Sequence, residues 1–177
     1  MLVVVQRGED RVHASPLETA EVPLAQPGHP PQVSHAVVMH VTRIGAKTNA
    51  GPAEWFTGTV FIDPVAVPEG AFRLSASSVH FTPGARTAWH THPNGQTIYV
   101  TEGVGLAQRR GGPIEVIRPG DRVFFEPGED HWHGAAPVRF MTHIAMLEVD
   151  EKGNSATWGD HVTDAEYGAA PPVEESR

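Results

Sequence analysis

Apolar and polar positions alternate over short distances through most of the chain. Segments 55–65 (WFTGTVFIDPV), 73–84 (RLSASSVHFTPG), 87–92 (TAWHTH) and 96–103 (QTIYVTEG) read as strands, each bounded by Gly or Pro. Segments 104–110, 114–121, 122–128, 131–137 and 139–149 continue the series. Many short strands at regular spacing predict an all-β fold, an antiparallel sandwich or barrel. MHVTRIG has the β-branched alternation of one more strand, beginning at Met39. Thr163 three residues before Glu166 forms a capping box, which predicts a single helical turn near the C-terminal end.

Residues 1–38 break the pattern. They are Pro-rich and weakly periodic, and read equally as a flexible N-terminal arm or as an upstream extension of a chain whose natural start is Met39. A single domain is expected over 39–167, followed by a disordered tail over 168–177. Eighteen glycines and sixteen prolines suit numerous turns. The formal charge of −8, with no block of basic residues, argues against nucleic acid. The apolar run in MLVVVQRGED is too short for a signal peptide or a membrane span. There is no cysteine, so disulfides and thiolate metal ligands are excluded. A cytoplasmic protein without membrane partners is expected.

Eleven histidines are a surplus, and their placement carries the chemistry. On a strand, His90 and His92 point to the same face and their imidazoles can share one ion. Beyond the PNG turn, Gln96 opens the next strand and can bring its amide oxygen to that ion. GDRVFFEPGEDH, residues 120–131, supplies His131 behind a Pro-Gly turn. Imidazole suits many divalent transition ions.

GARTAWHTHPNGQTIYVTEG, residues 84–103, has the spacing of the first cupin motif, with Gln96 in the usual glutamate position. GDRVFFEPGEDH resembles the second motif through Gly120, Gly128 and His131, although its proline is displaced to Pro127 and its last asparagine is replaced by Ala135. Taken with GPAEWFTGTV, MTH and HVTD, these segments resemble the small bacterial cupins that include manganese-dependent hydroxynitrile lyases, over roughly residues 39–167. The resemblance implies a single jelly-roll β-barrel. It implies a metal shell of His90, His92, Gln96 and His131 holding Mn²⁺, with Fe²⁺ or another divalent transition ion as alternatives. It further implies a small-molecule substrate, and it agrees with Met39 as a start.

A shell of three histidines and a glutamine carries no charge, so a divalent ion in it stays a strong Lewis acid toward a carbonyl or hydroxyl oxygen. That favours Lewis-acid chemistry over oxygen chemistry, and the resemblance implies cleavage of a cyanohydrin such as mandelonitrile into an aldehyde or ketone and HCN. The rival readings are a cupin dioxygenase acting on a small organic molecule and a non-catalytic metal- or small-molecule-binding cupin. A base must take the hydroxyl proton, and histidine titrates in the right range. His143 in MTH matches the histidine implicated as base in the resembling lyases. His133, two residues from His131, shares its face and is the second candidate. His80 is expected to face away. By strand parity Ser75, Ser77, Val79 and Phe81 share one face, and His143, Ala145 and Leu147 another. The resemblance puts Ser77, Val79 and Leu147 in the substrate pocket. Trp89 and Trp132 should point outward into packing, and Arg86 suits an anchor or a surface ion pair. Exposed sheet edges lead to an expected homodimer or homotetramer.

Overall fold

The computed structural model describes residues 39–43 and 47–173. Of the described residues, 43 and 47–173 belong to one compact unit. The extension expected over 1–38 lies outside the described residues. Strands β1 (Asn49–Ala50), β2 (Phe56–Thr57), β3 (Val60–Ala66), β4 (Leu74–Phe81), β5 (Arg86–Thr91) and β6 (Gln96–Gly103) come first. They are followed by β7 (Gly105–Arg109), β8 (Glu115–Ile117), β9 (Arg122–Phe125), β10 (His131–Ala135), β11 (Met141–Glu148) and β12 (Thr157–His161). The helical turn α1 (Asp164–Gly168) closes the series, with the expected capping box between Thr163 and Glu166.

All pairings are antiparallel and fall into two sheets. One runs β1-β3-β4-β11-β6-β9; the other runs β12-β5-β10-β7-β8, with β2 beside β5. This is the two-sheet antiparallel architecture expected from the strand pattern, in the barrel form that the motif resemblance implies. Two local readings differ from the sequence expectation. Residues 39–43 carry no strand and are exposed, so the β-branched alternation after Met39 has no partner surface there. Strand β12 was not foreseen, because its flank EKGNSA is polar and turn-like; pairing with β5 makes it a strand.

Between the sheets lies the main core, including Phe81, Ile98, Val100, Ala107 and Met141. Full burial of a side chain the size of Phe81, Ile98, Val100 or Met141 is worth roughly 1.5–3 kcal/mol. A second cluster covers the outer face of the second sheet, where Trp89, Leu106 and Trp132 meet Val162 and Tyr167. The outward packing expected of Trp89 and Trp132 is found, and the Trp132 indole N–H donates to Gln108 Oε1 at 2.7 Å. Ala170 and Val173 pack against this cluster, so the chain expected to be disordered from 168 is docked at its beginning.

Arg86 resolves to a structural tie. Its guanidinium donates to the Val162 carbonyl at 2.9 Å and to Asp164 at 2.6 Å, and lies 4.6 Å from the centre of the Tyr167 ring. A register shift between the pairs Gly134↔Arg86 and His131↔His90 separates this outer anchor from the inward histidines of the same strand. No helix among the described residues is long and apolar enough to cross a membrane.

Candidate metal centre

His90 lies near the end of β5 and His92 just past it; both are buried. His131 opens β10 directly opposite His90. Their ring centroids are 4.3 Å apart, and His92 lies 5.0 Å from His90 and 5.4 Å from His131. One ring nitrogen from each comes within 4.8 Å of the others. The His92–Gln96 turn carries the chain to the facing sheet, where buried Gln96 opens β6. Gly95 makes that turn possible: its φ is +77°, and a Cβ there would sit 2.7 Å from the Phe125 carbonyl oxygen.

Each histidine ring is held from behind. The Nδ1–H of His90 donates to the Ala88 carbonyl at 3.0 Å, that of His92 to Ser155 at 2.7 Å, and that of His131 to Glu129 at 2.7 Å. A carbonyl only accepts, so the proton sits on Nδ1 and the Nε2 lone pair points away from it. His92 Nε2, His131 Nε2 and Gln96 Oε1 are buried with no hydrogen-bond partner. Leaving a buried polar atom unmet costs about 1–3 kcal/mol, so a cluster of such acceptors fits a bound cation. The carbonyl behind each ring is the outer support typical of metal-ligating histidines.

Electrostatics agree. Burial pushes His90 well below its ordinary value, and the neighbouring His131 and His92 add to the shift. Burial also lowers His92, against opposing pulls from the Ser155 backbone and the Gln96 side chain. His131 falls to about 4, again mainly through burial. The rings are therefore neutral at pH 7, and protons do not compete with a metal for their lone pairs.

Deeper in the barrel, His133 stands between these rings and His143. Its ring centroid lies 5.4 Å from His90, 6.0 Å from His131 and 4.9 Å from His143, the last pair being T-shaped. Neither nitrogen of either ring makes a well-formed hydrogen bond. His143 is fully buried and pushed down to about 3 by that burial, with the Ile144 backbone pulling weakly the other way. His133 is lowered well below its ordinary value by burial and then by His143.

The expected pocket residues lie on β4 and β11. Val79 pairs with His143, Ser77 with Ala145, and Leu147 with both Ser75 and Gln96. His80 points to the other face, where Nδ1 meets Thr142 Oγ1 at 2.8 Å. A cleft of about 360 Å³ reaches His92 from outside, past Pro93, Gly128 and Asn154. Two contacts were not foreseen. Phe125 stacks on His131 at 3.7 Å between centroids, and Trp158 stacks on His90 at 4.6 Å. Strand parity from Val123 would have turned Phe125 inward, whereas Trp158 sits on the strand with no apolar pattern of its own.

Comparison with known proteins agrees with this geometry. A cupin domain matches residues 77–144. The chain is 54% identical over 130 residues to a protein named (R)-mandelonitrile lyase from Granulicella tundricola, covering 73% of this chain and 98% of that one. A cupin-like protein from Thermotoga maritima is 38% identical, with a TM-score of 0.66 over 73% of this chain and 98% of that one. The polyketide cyclase RemF from Streptomyces resistomycificus, at 20% identity and TM-score 0.54 over 74% of this chain and 91% of its own, shares the fold alone. The chain thus belongs to the cupins, within the group of small single-barrel proteins of hydroxynitrile lyase type.

Proposed function

We propose that this protein is a metal-dependent hydroxynitrile lyase acting on an aromatic or aliphatic cyanohydrin of the mandelonitrile kind. The observation that carries the reading is a pair of buried histidines, His133 and His143, with unused ring nitrogens beside a three-histidine cluster. The name of the Granulicella relative supports it. His90, His92, His131 and Gln96 would hold the ion, which we propose to be Mn²⁺, with Fe²⁺ or another divalent ion as the alternatives. Such an ion supplies a Lewis acid toward the oxygen of a hydroxyl or carbonyl.

The chain's own residues would do the rest. Val79, Ala145 and Leu147 offer an apolar wall for the substrate body and limit water beside the reacting carbon. His143, held neutral by burial, is the proposed acceptor of the hydroxyl proton, with His133 alongside it. As the O–H bond breaks, its electrons form the C=O double bond, and the C–C bond electrons leave with cyanide. The imidazolium so formed lies in a dry site, attracts the departing anion and returns the proton to give HCN. The neutral donor Gln96 weighs against oxygen chemistry, in which a carboxylate would help to stabilise higher oxidation states. A homodimer or homotetramer is part of the proposal, supported by Phe61, Tyr99, Phe124 and Phe140, which remain exposed along the first sheet.

The test is the variant His143→Ala. Mandelonitrile cleavage is expected to fall by about 100-fold or more, with metal content unchanged. A variant of wild-type rate would remove His143 from the reaction. Equal rates from the loaded protein and from free metal would overturn the lyase reading itself.

A further inference from the structure

We propose that Trp158 and Phe125 are positioning residues that fix the planes of the metal ligands His90 and His131. The inference rests on the metal-site reading above. A hydrogen bond at Nδ1 holds one in-plane direction of an imidazole but leaves the ring free to tilt about that bond. A flat aromatic surface against the ring face removes the tilt, and the two constraints together aim the Nε2 lone pair.

Both ligands have both constraints. Phe125 lies 3.7 Å from His131 between centroids with only 9° between planes, while the Glu129 carbonyl takes the Nδ1 proton. Trp158 lies 4.6 Å from His90 at 24°, while the Ala88 carbonyl plays the same part. The two aromatics come from edge strands of different sheets, Phe125 from β9 of the first and Trp158 from β12 of the second. Trp158 is itself supported from outside by Trp55, 5.1 Å away and nearly parallel, and tilted against Phe56 at 5.9 Å. An imidazole bound to a cation is electron-poor, so the π faces against it gain attraction when the site is filled.

Simple packing would make the same aromatics matter for stability alone. The discriminating experiment titrates Co²⁺ into full-length metal-free protein against a competing chelator and records the d–d absorption of the bound ion. Wild type is compared with Trp158→Leu, Trp158→Phe, Phe125→Leu and Phe125→Tyr. Positioning predicts Co²⁺ binding weaker by about 10-fold or more in each leucine variant, with shifted d–d bands, and recovery to within about threefold in the aromatic variants. Leucine variants that bind with wild-type affinity and spectrum overturn the positioning role while leaving the metal site standing. Wild-type protein that binds no Co²⁺ overturns the metal site and this inference with it. Should Trp158→Leu fail to fold, the exposed residue Trp55 gives the alternative. Trp55→Ala weakening Co²⁺ binding about threefold supports the support chain; unchanged affinity and spectrum overturn it for Trp158.

Discussion

In the proposed metal shell, Gln96 stands where a carboxylate would otherwise bring a charge. A carboxylate in its place would add a negative charge about 2 Å from the ion and weaken its pull on a substrate oxygen. Gln96→Glu is therefore expected to bind Mn²⁺ more tightly and to cleave mandelonitrile at least about 10-fold more slowly, measured by chelator competition and initial rates. The buried histidines leave a second mark. His131 at about 4 and His143 at about 3 lie below the ordinary value of 6.5. In metal-free protein the unfolded chain then takes up protons that the folded chain refuses. Stability is present in full above pH 6.5 and is lost as pH falls toward 4 and then 3. His143→Gln should make the decline between these limits shallower by about 1.4 kcal/mol per pH unit, read from urea unfolding at several pH values. An unchanged slope would show that His143 titrates normally. The cluster of His90, His92 and His131 was legible because their spacing is local to two turns. Phe125 and Trp158 were not, because stacking across a barrel depends on which strands form its margins.

The turn from β5 to β6 carries the largest demand on a single backbone position. Gly95 lets Gln96 face the histidines, and its φ of +77° together with the close Phe125 carbonyl leaves no room for a side chain. Gly95→Ala is expected to cost about 1–3 kcal/mol in urea unfolding and to weaken metal binding, since both Gln96 and Phe125 must move. Loss of stability with full metal affinity would separate the turn from the site. Strand alternation made β4, β5, β6, β10 and β11 readable, and with them the faces of Val79, His133 and His143. It failed at both ends of the domain. The apparent strand after Met39 has an apolar pattern but no partner among the described residues, while β12 has a partner but no pattern.

On the scale of the molecule, the two sheets differ in cover. Tyr167 of α1 and Val162 shield the second sheet, whereas the first sheet leaves Phe61, Tyr99, Phe124 and Phe140 exposed. A second copy of the chain seated on these aromatics would bury them, and the double variant Tyr99→Glu, Phe124→Glu should lower the mass seen by light scattering toward that of one chain. Wild-type mass in the variant would place the contact elsewhere. In the proposed function, the neutral donor set, the buried pair His133 and His143, and the apolar side chains of Val79, Ala145 and Leu147 together break a carbon–carbon bond without oxygen. The most direct measurement is the initial rate of benzaldehyde and cyanide release from mandelonitrile by Mn²⁺-loaded protein under strictly anaerobic conditions. The lyase account predicts equal amounts of the two products at the rate seen in air, well above free Mn²⁺. A rate that vanishes without oxygen, or that matches free Mn²⁺, would contradict it.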